Sequence, residues 1–318
     1  MTVAYLILAY HLPEQAARLA RLIVRSSPRA RVFLHYDAKS GPFDDQLLAG
    51  AERITVIPDP LTVEWGDWSP VAALLHCLTH IRNVMEFDWF TVLSGQDFPI
   101  RPIARFEEFL ATGAADAYIE AYPLSANPTT RASHVVARYY YRYWKLPRFR
   151  YSHRVPHWIR TAWQGWLCRR PEGRGFFNYI WLPRGLPPLL GVRRLRVPFT
   201  PEFECWQGSD WLNLSRHAVD YLFEFLARHP EVSRHYQHTH LPSESLYHTI
   251  YCNARDLRVE RNNLRFILWD SPDTSSPRTL TCENLDAMRE APAFFARKLD
   301  MRVDPAVLDR LEAAAELG

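Results

Sequence analysis

The chain has 318 residues, 47% hydrophobic and 14% aromatic; that is enough apolar surface for a buried core and excludes global disorder. The net charge of +3 hides an asymmetry: residues 131–197 hold 15 Lys/Arg against the single acid Glu172, leaving 23 bases and 34 acids elsewhere, so the basic character is local. Five scattered cysteines without a Cys-x-x-Cys pair argue against a structural zinc site and for a reducing compartment.

In chain order, Val3 to Ala9 is apolar but too short for a membrane span and lacks a basic leader and cleavage site. It predicts a first buried strand, in a cytoplasmic protein. Pro13 to Arg25 places Ala16, Leu19, Leu22 and Ile23 on one helical face, with Pro13 and Glu14 suited to its first turn. Arg31 to His35 and Ile54 to Ile57 read as the next strands. Ser69 or Pro70 opens a helix carrying Ala73, Leu74, Cys77, Leu78 and Ile81, and Trp89 to Leu93 is a strand, as is Ala117 to Ile119. This alternation predicts an α/β fold with a mainly parallel twisted sheet flanked by helices, in which ligands sit beyond the carboxyl ends of the strands. The polar residues at those ends, His11, Asp37 and Lys39, Trp65 and Asp67, and Asp97, point to one crevice.

From Ser125 to Thr200 the pattern gives way to a Tyr/Trp/Arg/Pro-rich insertion, including Arg138 to Lys145 and Trp158, Trp163 and Trp166. Interleaved aromatics and cations suit sugars, polyanions or an anionic membrane surface, and equally a solvated basic face whose aromatics pack inward. Order resumes with helices over Ser215 to Arg228, Glu244 to Ala254, Asn284 to Arg289 and Pro305 to Leu317. We expect a single catalytic domain over 1–318, made of a nucleotide-binding half (1–124), the insertion (125–200) and an acceptor and catalytic half (201–318).

Three segments of the last third carry chemistry. Gly208-Ser209-Asp210-Trp211 reads as a turn that a ligand can approach closely. Ser243 is placed as an N-cap, putting Glu244 in a first helical turn, where a carboxylate can face a cavity as a general base or simply complement the helix dipole. Arg297 and Lys298 follow the apolar Phe294-Phe295-Ala296, and two fixed cations can stabilise a leaving diphosphate in place of a metal. No Asp-x-Asp triplet occurs, and Glu202-Phe203-Glu204 is the nearest spacing. The expectation is no metal and no cofactor. Dinucleotide, Walker, nucleophile-elbow and zinc-helix motifs are absent.

Taken in order, Ala4-Tyr5-Leu6-Ile7-Leu8-Ala9, His35-Tyr36-Asp37-Ala38-Lys39-Ser40, Trp65-Gly66-Asp67-Trp68-Ser69, Leu93-Ser94-Gly95-Gln96-Asp97-Phe98-Pro99, Gly208-Ser209-Asp210-Trp211, Pro242-Ser243-Glu244-Ser245 and Phe295-Ala296-Arg297-Lys298 resemble the core-2/I-branching N-acetylglucosaminyltransferases and peptide O-xylosyltransferases. The resemblance implies a GT-A-like fold and inverting, metal-independent transfer from a UDP-sugar to a glycan or other hydroxyl acceptor. It makes Glu244 the base, Arg297 and Lys298 the diphosphate ligands and Asp37 a uridine contact, with Trp65, Asp97 and Trp211 in the sugar pocket and His11 also on the donor side. Tyr36 stands where the family usually has Val. Asn263 to Asp270 and Pro277 to Thr281 look more like the xylosyltransferase branch, which leaves UDP-xylose and UDP-N-acetylglucosamine both open. The absence of an anchor signal and of a disulfide pattern points to a bacterial-type cytoplasmic member, with peripheral contact at the inner face of the membrane as a further reading. Nucleic acid is not expected as a partner. The competing class is a non-catalytic binder of polyanionic glycan, nucleic acid or membrane through residues 131–197.

Overall fold

The computed structural model describes residues 1–124, 137–147, 156, 175–180, 182, 186–271 and 276–316. Strands β1 (Val3–Ala9), β2 (Arg31–Tyr36), β3 (Ile54–Val56) and β4 (Trp89–Ser94) run parallel, with β1 between β2 and β4 and β3 outside β2. β5 (Asp97–Pro99) follows directly, then β6 (Ala117–Pro123), β7 (Tyr141–Lys145), β8 (Phe177–Ile180), β9 (Leu189–Arg193), β10 (Trp206–Ser215), β11 (Val259–Glu260), β12 (Arg265–Ile267) and β13 (Phe295–Arg297). The main sheet is seven-stranded in the order β11-β6-β10-β4-β1-β2-β3, and β10 runs antiparallel to both its neighbours. The mainly parallel sheet and its covering helices are the α/β layout expected.

The helices are α1 (Pro13–Ser26), α2 (Ser69–Val84), α3 (Ile103–Thr112), α4 (Arg216–Arg228), α5 (Pro230–Tyr236), α6 (Leu246–Cys252), α7 (Leu285–Glu290) and α8 (Pro305–Glu316). β1 is apolar throughout because both its faces are covered. Val3, Tyr5 and Ile7 join the core formed with Leu19, Leu22 and Leu308, while Ala4 and Leu6 join the other with Leu74, Ile81 and Leu222. Each fully buried large side chain contributes about 1.5–3 kcal/mol, and Leu6→Ala costs about 2–5 kcal/mol because it also leaves a cavity. Among the described residues no helix is long and apolar enough to cross a membrane.

The described part of the insertion forms a small antiparallel sheet in the order β7-β9-β8. Along β7, Tyr141 and Tyr143 are buried while Arg142 and Trp144 are exposed, as strand alternation requires, and Lys145 at the strand's end is exposed as well. The tyrosines Tyr139, Tyr141 and Tyr143 pack inward, whereas Trp144, Phe176 and Phe177 share the outer surface with Arg142 and Lys145. Trp158, Trp163 and Trp166 lie outside the described residues.

Two local expectations are corrected. Gly208 to Trp211 lies within β10, whose pairing with β6 slips between Gly208 and Leu212, so the segment is a bulged strand and not a turn. Pro242–Glu244 forms a single 3₁₀ turn and α6 starts at Leu246, so Glu244 precedes the helix and the Ser243 side chain does not cap it. The interruption has a cause: Ser245 Oγ is drawn to the Trp206 carbonyl at 2.6 Å and lies 2.8 Å from the Tyr236 hydroxyl. These bonds tie the turn to β10 and to α5.

Candidate active site

Because β1, β2 and β4 are parallel and in register at Leu8 and Ser94 and at Ala9 and Tyr36, their carboxyl ends lie on one edge. Residues just beyond that edge converge. Asp37 is buried and accepts the backbone N–H of Lys39 at 3.0 Å and of Val63 at 3.3 Å, with Lys39 Nζ 3.4 Å away. It therefore holds the β2 turn to the loop after β3, and a uridine would meet only its remaining lone pairs. His11 is half-buried near Arg302, Lys298 and Arg297, and burial together with those cations holds its imidazole below the usual value.

Arg297 is set by β13, which pairs antiparallel with β5 so that Arg297 lies opposite Asp97. Its guanidinium bonds Ser94 Oγ and lies 3.4 Å from Asp97 Oδ1 and 4.5 Å from the Trp211 ring centroid. Asp97 has no exposed surface and accepts the Ser94 N–H at 2.6 Å, and Trp211 is only 9% exposed. Both were expected to contact the sugar; the structure instead uses them to clamp Arg297 from below and from one face. Burial of Asp97 removes it from ligand reach. Arg265, buried beneath Phe295 at 4.7 Å, adds a second cation close to Asp97.

Glu244 pairs with Arg138 at 2.9 Å, and its side chain keeps 31% of its surface. Burial pushes its pKa up to about 7; Arg138 opposes the rise, while the nearby carboxylates of Asp210 and Glu120 add to it. Such a group is half-ionised near neutrality, which suits a proton acceptor. Asp210 is the link. It is exposed, is bonded by Ser243, and feels the charges of both Glu244 and Arg297, so it lies within electrostatic reach of acid and cation alike. The Gly208 bulge makes this possible: a Cβ there would sit 1.7 Å from the Glu120 carbonyl oxygen and 2.6 Å from the His248 ring.

Trp65 is 48% exposed and its ring meets His240 edge-on at 5.7 Å. Its loop docks close to Glu244: the Gly66 carbonyl accepts Leu241 N–H at 2.9 Å, three residues before Glu244. Gly66 takes φ +86°, and a Cβ there would lie 2.8 Å from His240 Cε1. Lys298 is half-buried next to Arg297, and its carbonyl accepts Leu280 N–H. Thus Glu244, Asp37, His11, Arg297 and Lys298 border the same edge, with Trp65 at its rim. Asp210 and Glu120 were not singled out from the sequence, and Arg138 was named only as a cation of the insertion. Asp210 stood within a noted motif, but only the β10 bulge gives it a direction.

The family described as Core-2/I-Branching enzyme matches residues 3–146 and 180–289 of the chain. The chain belongs to this family. Glu244 and Asp210 fall inside the core-2/I-branching match, while Arg297 and Lys298 lie beyond its end. The beta-glucuronosyltransferase GlcAT14B of Arabidopsis thaliana is 36% identical over 114 residues, which cover 35% of this chain and 26% of that protein. A xylosyltransferase of Ciona intestinalis is 22% identical over 304 residues, covering 88% of this chain and 30% of that protein. The chain thus spans less than a third of the length of either relative. Among solved structures, a galactosyltransferase in complex with donor and acceptor sugar analogues is 9% identical, covers 99% of this chain and 96% of that one, and has a TM-score of 0.36, a likeness too remote to support an inference.

Proposed function

We propose that the chain is a glycosyltransferase that moves a sugar from a UDP-sugar to a hydroxyl acceptor, with inversion and without a metal ion. Family membership supports sugar transfer. The observation that carries the mechanism is Asp210, one carboxylate under the influence of both Glu244 and Arg297. In this reading Glu244 takes the acceptor hydroxyl proton as that oxygen attacks the anomeric carbon. The bond from that carbon to the diphosphate breaks on the opposite face, and UDP departs with the electron pair. Arg297 and Lys298 meet its growing charge, and Asp97, Ser94 and Trp211 hold the guanidinium ready, so little reorganisation is needed at the moment of reaction. His11, kept neutral by burial and by its cationic neighbours, is available to bond the donor without adding charge.

The candidate donors are UDP-xylose and UDP-N-acetylglucosamine, and the glucuronosyltransferase relative adds UDP-glucuronate. A ligand that binds only the folded chain stabilises it by about 2.7 kcal/mol at a hundred times its Kd. Thermal unfolding with these three donors should therefore single one out, and its transfer product should carry the inverted anomeric configuration. No stabilisation by any UDP-sugar, or a retained configuration, would contradict the proposal.

A further inference from the structure

A second concentration of charge lies outside the site around Glu244 and Arg297. Arg142 of β7, Arg194 and Arg196 beyond β9, and Arg234, His235 and His238 of α5 and its following turn surround a cavity of about 650 Å³. Glu231 is the one acid lining it, and its carboxylate faces His229 at 3.2 Å. Among the described residues none of the four arginines forms an ion pair. Arg142 lies 3.3 Å from His238 Nε2 and 5.3 Å from the Trp144 ring centroid; Arg194 donates to the His235 carbonyl at 3.1 Å, and Arg234 to the Pro230 carbonyl at 3.4 Å. Arg194 Nε is buried with no partner. Like charges gathered in a concave, partly desolvated space repel one another. Burial and Arg142 hold the Arg194 guanidinium below its usual value, and burial with Arg142 and Arg194 does the same to His238. An oxyanion in the cavity would relieve this repulsion and occupy the arginine forks.

Position supplies the rest. A neighbouring cavity of about 340 Å³ shares Gln237 and His238 as its wall and presents Trp65, Trp68, Tyr143 and Lys145. Trp65 belongs to the loop that docks at Leu241, three residues from Glu244. Starting at the proposed base, the surface is therefore first aromatic and then cationic. Aromatic rings stack on the apolar faces of sugars, and arginines bind their acidic substituents.

We propose that the Arg142–Arg194–Arg196–Arg234 cavity binds an anionic group of an acidic acceptor glycan, a uronate carboxylate or a sulfate ester, with the intervening sugars over Trp65 and Trp68. The acceptor assignment rests on the transferase reading; the anion site does not. A cavity favours a discrete group over a bilayer, although the almost fully exposed Leu195 between Arg194 and Arg196 makes a lipid surface the rival to test.

Binding is measured without donor on wild type and on Arg142→Gln/Arg196→Gln, both exposed positions outside the site around Glu244 and Arg297. The probes are a hexamer of galacturonic acid, its carboxyl-reduced neutral form, a sulfated hexasaccharide and phosphatidylglycerol vesicles. Wild type should bind at least one acidic hexamer about tenfold or more tighter than the neutral one, weakening with salt, and the double variant should lose that preference. Which acidic hexamer binds separates carboxylate from ester. Equal binding of acidic and neutral hexamers, a preference untouched by the double variant, or arginine-dependent sedimentation with vesicles while no hexamer binds, would each overturn the site. A parallel UDP titration keeps the two proposals apart: UDP binding without hexamer preference removes only the acceptor site, and hexamer preference without UDP binding removes only the transferase.

Discussion

Arg138 and Glu244 stand 106 positions apart in the chain and meet at 2.9 Å. The contact joins the insertion to the carboxylate proposed as base, and it sets that carboxylate's ionisation against burial and two acidic neighbours. Transfer should accordingly rise with pH through about 7, because only the ionised form accepts a proton. Arg138→Gln removes the stabilising cation and should move this limb to higher pH. A kcat profile without a limb between pH 6 and 8 would break the link between Glu244 ionisation and rate.

Asp210→Asn should act in the other direction. Removing a negative neighbour eases ionisation of Glu244, so the limb moves to lower pH while activity falls by less than about a hundredfold. A loss as large as that of Glu244→Gln would instead make Asp210 the proton acceptor. The same pH-rate series reads both outcomes.

The Arg297–Asp97 pair predicts separable effects on stability and rate. Arg297→Gln takes from the fully buried Asp97 one of its two nearby cations, Arg265 being the other, and should cost somewhat less than the roughly 3–5 kcal/mol of a wholly unpaired buried charge. Adding Asp97→Asn should restore much of the melting temperature. It should not restore transfer, which stays about a hundredfold down for lack of the cation. Wild-type transfer should persist in excess EDTA, and complete loss reversed by Mn²⁺ would contradict the cation assignment.

Gly208→Ala should be among the most damaging single changes. Its Cβ would meet the Glu120 carbonyl at 1.7 Å, and that backbone is held by the β6–β10 pairing. We expect destabilisation of about 3 kcal/mol or more, seen as a lower denaturant midpoint.

Buried histidines should make the fold acid-sensitive. His235, His240 and His248 are each pushed down to about 4 by burial, so the unfolded chain binds more protons than the folded one between pH 6.5 and 4. Their stability contribution is whole above pH 6.5 and is lost as pH falls. From pH 7 to 5 each costs roughly 2 kcal/mol, against roughly 2 kcal/mol regained by protonating Glu244. The histidines win, and melting temperature should drop across that interval; a flat curve would contradict their burial in neutral form.

Much of the fold was legible because the first half repeats two periods. β1 alternates its two cores residue by residue, and α1 puts Leu19, Leu22 and Ile23 on one face, so apolar spacing alone located both. Candidate residues could be picked from the sequence where one short segment carried them, as at Asp37, Glu244 and Arg297, which the structure places beyond one sheet edge. The site was not legible where position depended on distant pairing. Arg138 gains its meaning from Glu244, Asp97 and Trp211 from Arg297, and Asp210 from a bulge that no local pattern announces. Ser243 looked like a helix cap because Ser before Glu usually is one. The Ser245–Trp206 bond, a tertiary contact, delayed the helix instead.

If Glu244 removes the acceptor proton, Glu244→Gln should abolish that step while leaving the donor pocket intact. With the donor identified by thermal stabilisation, kcat should fall by about a thousandfold while UDP affinity changes by less than about threefold. A Glu244→Gln variant that binds UDP normally and turns over within tenfold of wild type would contradict that role.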